Sequence, residues 1–268
     1  MIYSASMVSA AVNGLDSTYY VIKQSQWFVL GLIAFGLGSI IPYQKYQKLV
    51  VPLMLLSVIA LILVPFFGKT EFNATRTLTL LGFNIQPSEF VKLIVIIYLA
   101  SVYSKKQAYI DNFSKGVFPP LILSLIMIGL IVIQPDLGTA TIILFIIGTI
   151  IISSGIRLKH VLLLGTLAAG ALMILIPWMI TDKRVQRFTG AYDPFADPDS
   201  AGYHLIQSYL AISGGGVKGE GLGQSIQKLG YLWGAHTDFI MSVIAEELGI
   251  AGIILVIGSL LVITLRGL

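Results

Sequence analysis

The residues best suited to chemistry in this 268-residue chain gather between positions 181 and 238. There Lys183-Arg184-Val185-Gln186-Arg187-Phe188 is followed by Tyr192-Asp193-Pro194-Phe195-Ala196-Asp197-Pro198-Asp199-Ser200-Ala201-Gly202-Tyr203-His204. Three bases just ahead of three carboxylates have a definite use. Cations such as Arg184 and Arg187 can hold a pyrophosphate, while one of the carboxylates takes a proton from a hydroxyl. The same composition also describes a solvated, turn-rich loop, since two Asp-Pro pairs four residues apart force turns.

Further ionisable groups lie inside apolar sequence. Gln86-Pro87-Ser88-Glu89-Phe90-Val91-Lys92 opens one apolar run. Ser88 is placed to cap a helix there, and Glu89 and Lys92, three apart, share one helix face. A charge within a span costs ~2.5–3.5 kcal/mol, which makes the pair a functional candidate as well as a structural ion pair. Gln134-Pro135-Asp136-Leu137-Gly138-Thr139 opens another run, and Asp136 there reads first as an acceptor for helix N-terminal amides. Glu246 and Glu247 are adjacent on the last apolar run, where the plain reading is hydrogen bonding between helices.

Other chemistries find no support. Gly214-Gly215-Gly216-Val217-Lys218-Gly219 fits G-x-G-x-x-G only formally, because no strand precedes it and no G-K-[ST] ends it. No Cys is present, and the three His (160, 204 and 236) have no pair at metal-ligand spacing. The sequence therefore requires no cofactor, although an acidic loop leaves a divalent cation, Mg or Mn, open.

The elements that must position these groups follow from composition. The chain is 56% hydrophobic and 11% charged, against roughly 25% charged in soluble domains. Its net charge of +4 is too small and dispersed for a nucleic-acid partner. Lipid is the solvent for most of the chain. Apolar runs at 27–42, 49–67, 90–103, 117–133, 140–153, 161–180 and 239–265, with a half-length run at 1–11, predict an all-α polytopic membrane helix bundle of about eight spans, the first partial. The chain reads as a single integral-membrane domain over 1–268 containing a large extracytoplasmic loop at 181–238. Lys45, Lys48, Lys105, Lys106, Lys115, Arg157 and Lys159 fall in alternate short connections, which the positive-inside rule places in the cytoplasm. The acid-rich 181–238 segment then lies outside.

Taken together, these segments resemble the SEDS family (FtsW/RodA/SpoVE) of bacterial cell-wall enzymes. The resemblance rests on Ile2-Tyr3-Ser4-Ala5-Ser6, Gln86-Pro87-Ser88-Glu89, Gln134 to Thr139, Asp197-Pro198 followed by Gly202-Tyr203-His204, and Ala211-Ile212-Ser213-Gly214-Gly215. Ser225-Ile226-Gln227-Lys228-Leu229-Gly230-Tyr231-Leu232, His236-Thr237-Asp238-Phe239-Ile240 and Ala245-Glu246-Glu247-Leu248-Gly249 complete it. The Gln227–Tyr231 string is nearer to the cell-division branch.

The resemblance implies a peptidoglycan glycosyltransferase, which polymerises lipid II into glycan strands at the outer face of the bacterial cytoplasmic membrane. It implies a class B penicillin-binding protein transpeptidase as partner, alongside other divisome or elongasome membrane proteins. It maps the proposed catalytic Asp onto Asp197, with Asp193 as runner-up, and a cavity-lining pair onto Glu89 and Lys92. Arg76, counted with Arg184, Arg187, Glu89 and Lys92 among the substrate-binding residues, lies near the place where the family carries Arg-Trp, without the Trp, and Trp233-Gly234 replaces a usual Pro-Glu. The family has ten spans, so the chain reads as truncated at both ends. Two other readings stay open from the residues alone: a flippase for a lipid-linked precursor, and a non-catalytic divisome scaffold.

Overall fold

The computed structural model describes residues 1–71, 74–80, 83–179 and 182–267. Among them are helices α1 (Ile2–Val12), α2 (Tyr19–Ile40), α3 (Tyr43–Phe67), α4 (Pro87–Lys105), α5 (Phe118–Ile133), α6 (Leu137–Ser153), α7 (Leu158–Met179), α8 (Asp182–Tyr192), α9 (Tyr203–Gly215) and α10 (Ile240–Gly267). Three short strands, β1 (Lys69–Glu71), β2 (Ala74–Leu80) and β3 (Phe83–Ile85), sit between α3 and α4. Five apolar helical segments are long enough to cross a membrane: α2, α3, α4, Phe113–Ile133 (a π-turn running into α5) and α10. Shorter apolar helices are α1, α6 and the Leu158–Ala171 part of α7. That makes eight apolar helices among the described residues, the number read from the hydrophobic runs. The chain is a multi-pass membrane protein. The span read as 161–180 starts earlier, at Leu158, and its last residue, Ile180, lies outside the described residues.

Contacts divide the chain into two units, Met1–Gly38 with Ile176–Leu268, and Ser39–Leu175. The core of the second is built on four-residue spacing. Val91, Val95, Leu99 and Tyr103 form one fully buried ridge of α4, and Ile143, Ile147 and Ile151 form one on α6, so these faces pack along their i±4 rows. Pro65 lies inside α3 and has no N–H to give the Leu61 carbonyl. Gln134 supplies the missing donor, its Nε2 reaching Leu61 O at 2.9 Å. In lipid such a carbonyl has no water to fall back on.

The strands were not anticipated. They form an antiparallel meander in the order β1-β2-β3. Thr75, Thr77 and Thr79 alternate with Arg76, Leu78 and Leu80, a period of two rich in β-branched residues that reads as strand. Gly68 lets β1 leave α3, because a Cβ there would strike the Val64 carbonyl and lie 2.6 Å from Thr75 Cγ2. Helix α4 begins at Pro87 with Gln86 as N-cap and no side-chain cap bond. Ser88 therefore does not cap it; its hydroxyl accepts from Gln86 Nε2 at 3.0 Å.

In the first unit α9 packs on α10 through small residues. A Cβ on Gly215 would collide with the Ala245 carbonyl, and the buried hydroxyls of Ser208 and Ser242 lie 2.6 Å apart. Helix α10 breaks at Gly249 (φ 63°, ψ −152°). Around the break, Ile250 N donates to Val217 O at 3.3 Å, while Glu220 N and Gly221 N donate to the carbonyls of Glu246 and Glu247 at 2.9 and 3.0 Å. The 217–221 segment thus replaces the lost helical bonds, the condition under which broken backbone is tolerated at membrane depth. The 181–238 stretch, read from sequence as loop, carries α8 and α9 among its described residues.

Candidate active site

The Asp197 corner is built by main-chain contacts. Helix α8 ends at Tyr192, and a single 3₁₀ turn, Pro194–Ala196, separates Asp193 from Asp197. Asp193 N donates to Thr189 O at 2.7 Å, and Gly202 N donates to the Asp197 main-chain oxygen at 2.9 Å. Two glycines make this closure sterically allowed. A Cβ on Gly202 would collide with the Pro194 carbonyl, and one on Gly190 would come within 2.6 Å of Ala201 O. Pro194 is buried at the centre of the corner.

On this frame the carboxylates of Asp193 and Asp197 are both exposed. Asp197 Oδ2 accepts from Ala201 N at 3.5 Å, a long bond. Among the described residues neither carboxylate has an ion-pair partner. Lone pairs left free in this way are available to a proton. Arg187 is exposed on α8, six residues before Asp193. The side chain of Arg184, like that of Lys183, lies outside the described residues.

Elsewhere in the same unit, α10 and the 225–229 turn enclose a polar centre. Lys228 Nζ donates to Glu247 Oε1 and to Ser4 Oγ, each at 2.7 Å, and Ser4 Oγ donates to Glu247 Oε1 at 2.5 Å. The ion-paired side chains are 1% and 0% exposed. Glu246 accepts from Ser225 Oγ at 2.5 Å, from Ile226 N at 2.8 Å and from Gln227 N at 3.4 Å. It thereby caps the 3₁₀ turn Gln227–Leu229 that carries Lys228. Adjacent glutamates on a helix point in different directions, and here each serves a different part of one turn. Lys228, Ser225 and Ser4 were not singled out from sequence as site residues. The available signal was the cost of two carboxylates in an apolar run, which demands a buried cation. At the rim, burial pushes the His236 imidazole below its usual range, partly opposed by Asp238, and the ring lies 4.6 Å from that of Tyr20.

In the other unit, Lys92 Nζ pairs with Glu89 at 2.8–2.9 Å, the glutamate half exposed and the lysine more covered. Arg76 is held by strand β2 against the start of α6, its Nη2 donating to Pro135 O at 3.0 Å and its Nη1 3.7 Å from Asp136 Oδ1. Asp136 caps α6, accepting from Thr139 N at 3.4 Å and Thr139 Oγ1 at 2.9 Å, and it accepts from Gln86 Nε2 at 3.0 Å. Asp136 is thus the helix-end acceptor anticipated from sequence, and Arg76 joins the same cluster. Among the described residues no group of three or more His, Asp or Glu could hold a metal ion.

The sequence matches, over residues 1–268, the FtsW/RodA/SpoVE family model, described as cell cycle protein. The chain belongs to this family. Its relatives include the "Probable peptidoglycan glycosyltransferase FtsW" of Bacillus subtilis (strain 168), 44% identical, the match covering all of this chain and 69% of that protein. The protein of the same name from Geobacter sp. (strain M18) is 35% identical, with 100% and 73% covered. Among solved structures, one from a peptidoglycan synthase complex that coordinates polymerization and crosslinking superposes with a TM-score of 0.64 at 26% identity, covering 96% of this chain and 72% of that one. The Thermus thermophilus rod shape determining protein RodA superposes with a TM-score of 0.58 at 23% identity, covering 96% and 68%, a likeness of fold.

Proposed function

We propose that this member of the FtsW/RodA/SpoVE family is a peptidoglycan glycosyltransferase that polymerises lipid II at the outer face of the bacterial cytoplasmic membrane. The observation that carries the reading is the exposed carboxylate of Asp197, free of any ion pair among the described residues and held on a corner whose close backbone approach Gly190 and Gly202 permit. Relatives named for this activity support it. In the proposed step, the hydroxyl of one lipid-linked disaccharide gives its proton to Asp197 as its oxygen attacks the anomeric carbon of a second. The bond from that carbon to undecaprenyl pyrophosphate breaks and the configuration inverts. Arg184 and Arg187 would receive the negative charge of the departing pyrophosphate, where electrostatic stabilisation counts most. Asp193, one 3₁₀ turn away, is the second candidate base.

Glu89 and Lys92 would shape the cavity for the acceptor or donor, and Arg76 acts through its hold on Asp136. The partner that this reading calls for is a class B penicillin-binding protein transpeptidase, as the likeness to a peptidoglycan synthase complex suggests. The test is polymerisation of lipid II by the reconstituted protein, read as glycan ladders on a gel. Asp197→Asn, which keeps the shape and removes the base, is expected to abolish the ladders in folded protein. Full activity in Asp197→Asn would overturn the assignment and move it to Asp193.

A further inference from the structure

Helix α8 turns its apolar ridge away from the protein. Val185, Phe188 and Tyr192 are spaced three and four apart and so fall on one stripe. They are 45%, 75% and 87% exposed, and Phe195 continues the stripe at 67%. Gly190, roughly 140–200° around the helix from these residues, is buried against Ala201 of the Asp197 corner. Gln186, Arg187 and Thr189 are exposed as well, so of positions 185–192 only Gly190 is buried and the aromatics stand without protein cover; a helix in water would turn such aromatics inward.

The helix begins at Asp182, three residues after α7 ends at Met179, so it starts where an apolar helix leaves the bilayer. Its own charges are Lys183, Arg184 and Arg187 against Asp182, a cationic balance that suits an anionic phospholipid surface.

We infer that α8 is an interfacial helix, its Val185–Phe188–Tyr192 ridge sunk among the lipids of an anionic leaflet, which holds the Asp197 corner at headgroup depth. The lipid contact stands apart from the proposed reaction. Only its consequence for Asp197 rests on that reading: a base at this depth meets the junction between a polyprenyl tail and its pyrophosphate without the substrate leaving the membrane.

The chain has no Cys, so single nitroxide labels can be placed directly. Phe188→Cys, Tyr192→Cys and Gln186→Cys would be made in the full chain, reconstituted in phosphatidylglycerol–phosphatidylethanolamine vesicles and labelled. Collision with oxygen, which concentrates in lipid, is then compared with collision with a water-soluble nickel chelate. The expected result is an oxygen-to-nickel ratio several-fold higher at 188 and 192 than at 186, falling when phosphatidylglycerol is replaced by phosphatidylcholine. Equal ratios at the three sites would overturn the inference. So would immobilised labels at 188 and 192 shielded from both reagents, the signature of a second copy or another protein on the ridge. Should Phe188→Cys fail to fold, Val185→Cys reports the same stripe. Because the readout is position and not turnover, it can fail while lipid II polymerisation by the unmodified chain succeeds, or the reverse.

Discussion

Removing either end of the Lys228–Glu247 pair should be among the most damaging single changes in the protein. Both side chains are essentially sealed from solvent, and three bonds of 2.5–2.7 Å link them with Ser4. Lys228→Met leaves a buried carboxylate with only the Ser4 hydroxyl and the Gly223 backbone for partners and no cation, and Glu247→Leu leaves a buried ammonium. Breaking a buried pair from one side costs about 3–5 kcal/mol. At ~2–4 °C per kcal/mol, this corresponds to a fall in Tm of ~6–20 °C. The double variant Lys228→Met/Glu247→Leu removes both charges together, so it should be far less destabilised than the sum of the two singles. The assay is thermal unfolding of the purified chain in one detergent, followed by tryptophan fluorescence and analysed as a double-mutant cycle. Single variants that cost no more than the ~1 kcal/mol of a surface pair, or costs that simply add, would refute the reading of Lys228 and Glu247 as a buried, coupled ion pair.

Two further outcomes are expected. Gly202→Ala places a methyl group against the Pro194 carbonyl and should displace the Asp197 carboxylate; a misplacement of about 1 Å costs ~100-fold in rate. Glycan ladders should therefore fade in Gly202→Ala, yet persist in the control Gly214→Ala, whose Cβ meets nothing within 4 Å. Asp111 is gripped by Arg157, with Nε to Oδ1 at 2.6 Å and Nη2 to Oδ2 at 2.7 Å, and this hydrogen bonding holds its carboxyl below the usual carboxylate range. A depressed folded-state value means that the contribution is present above the unfolded carboxyl pKa and is lost as pH falls through the folded one. The stability difference between the natural chain and Asp111→Asn should accordingly be seen at neutral pH and vanish in acid, as read from unfolding curves across pH.

The membrane helices were legible because lipid imposes one rule on every residue of a span, so length and composition suffice. The Asp136 cap was legible for a similar reason, since an acid at a helix start has one dominant local use. What sequence did not disclose depends on partners far along the chain. The role of Gln134 follows from Pro65, 69 residues earlier, and Glu247 is explained by Ser4, 243 residues away. The β2 strand was missed because a seven-residue alternation stood between two much stronger apolar runs. At Asp197 and Asp193 the motif located the carboxylates, but only Gly190, Pro194 and Gly202 together explain why the chain holds them where it does. The ridge of α8 escaped notice because its aromatics are spaced among bases and a glycine, and no run of apolar residues marks it.

The exchange between Pro65 and Gln134 makes two distant positions a single heritable unit. A chain that regained an ordinary residue at 65 would restore the α3 ladder and strand the glutamine amide. One that lost the glutamine first would leave the Leu61 oxygen bare in a medium without water. Neither intermediate is comfortable, so drift at these sites should be rare, and where it occurs both should change in the same lineage. A break in a membrane helix of this kind survives only as long as its distant remedy does.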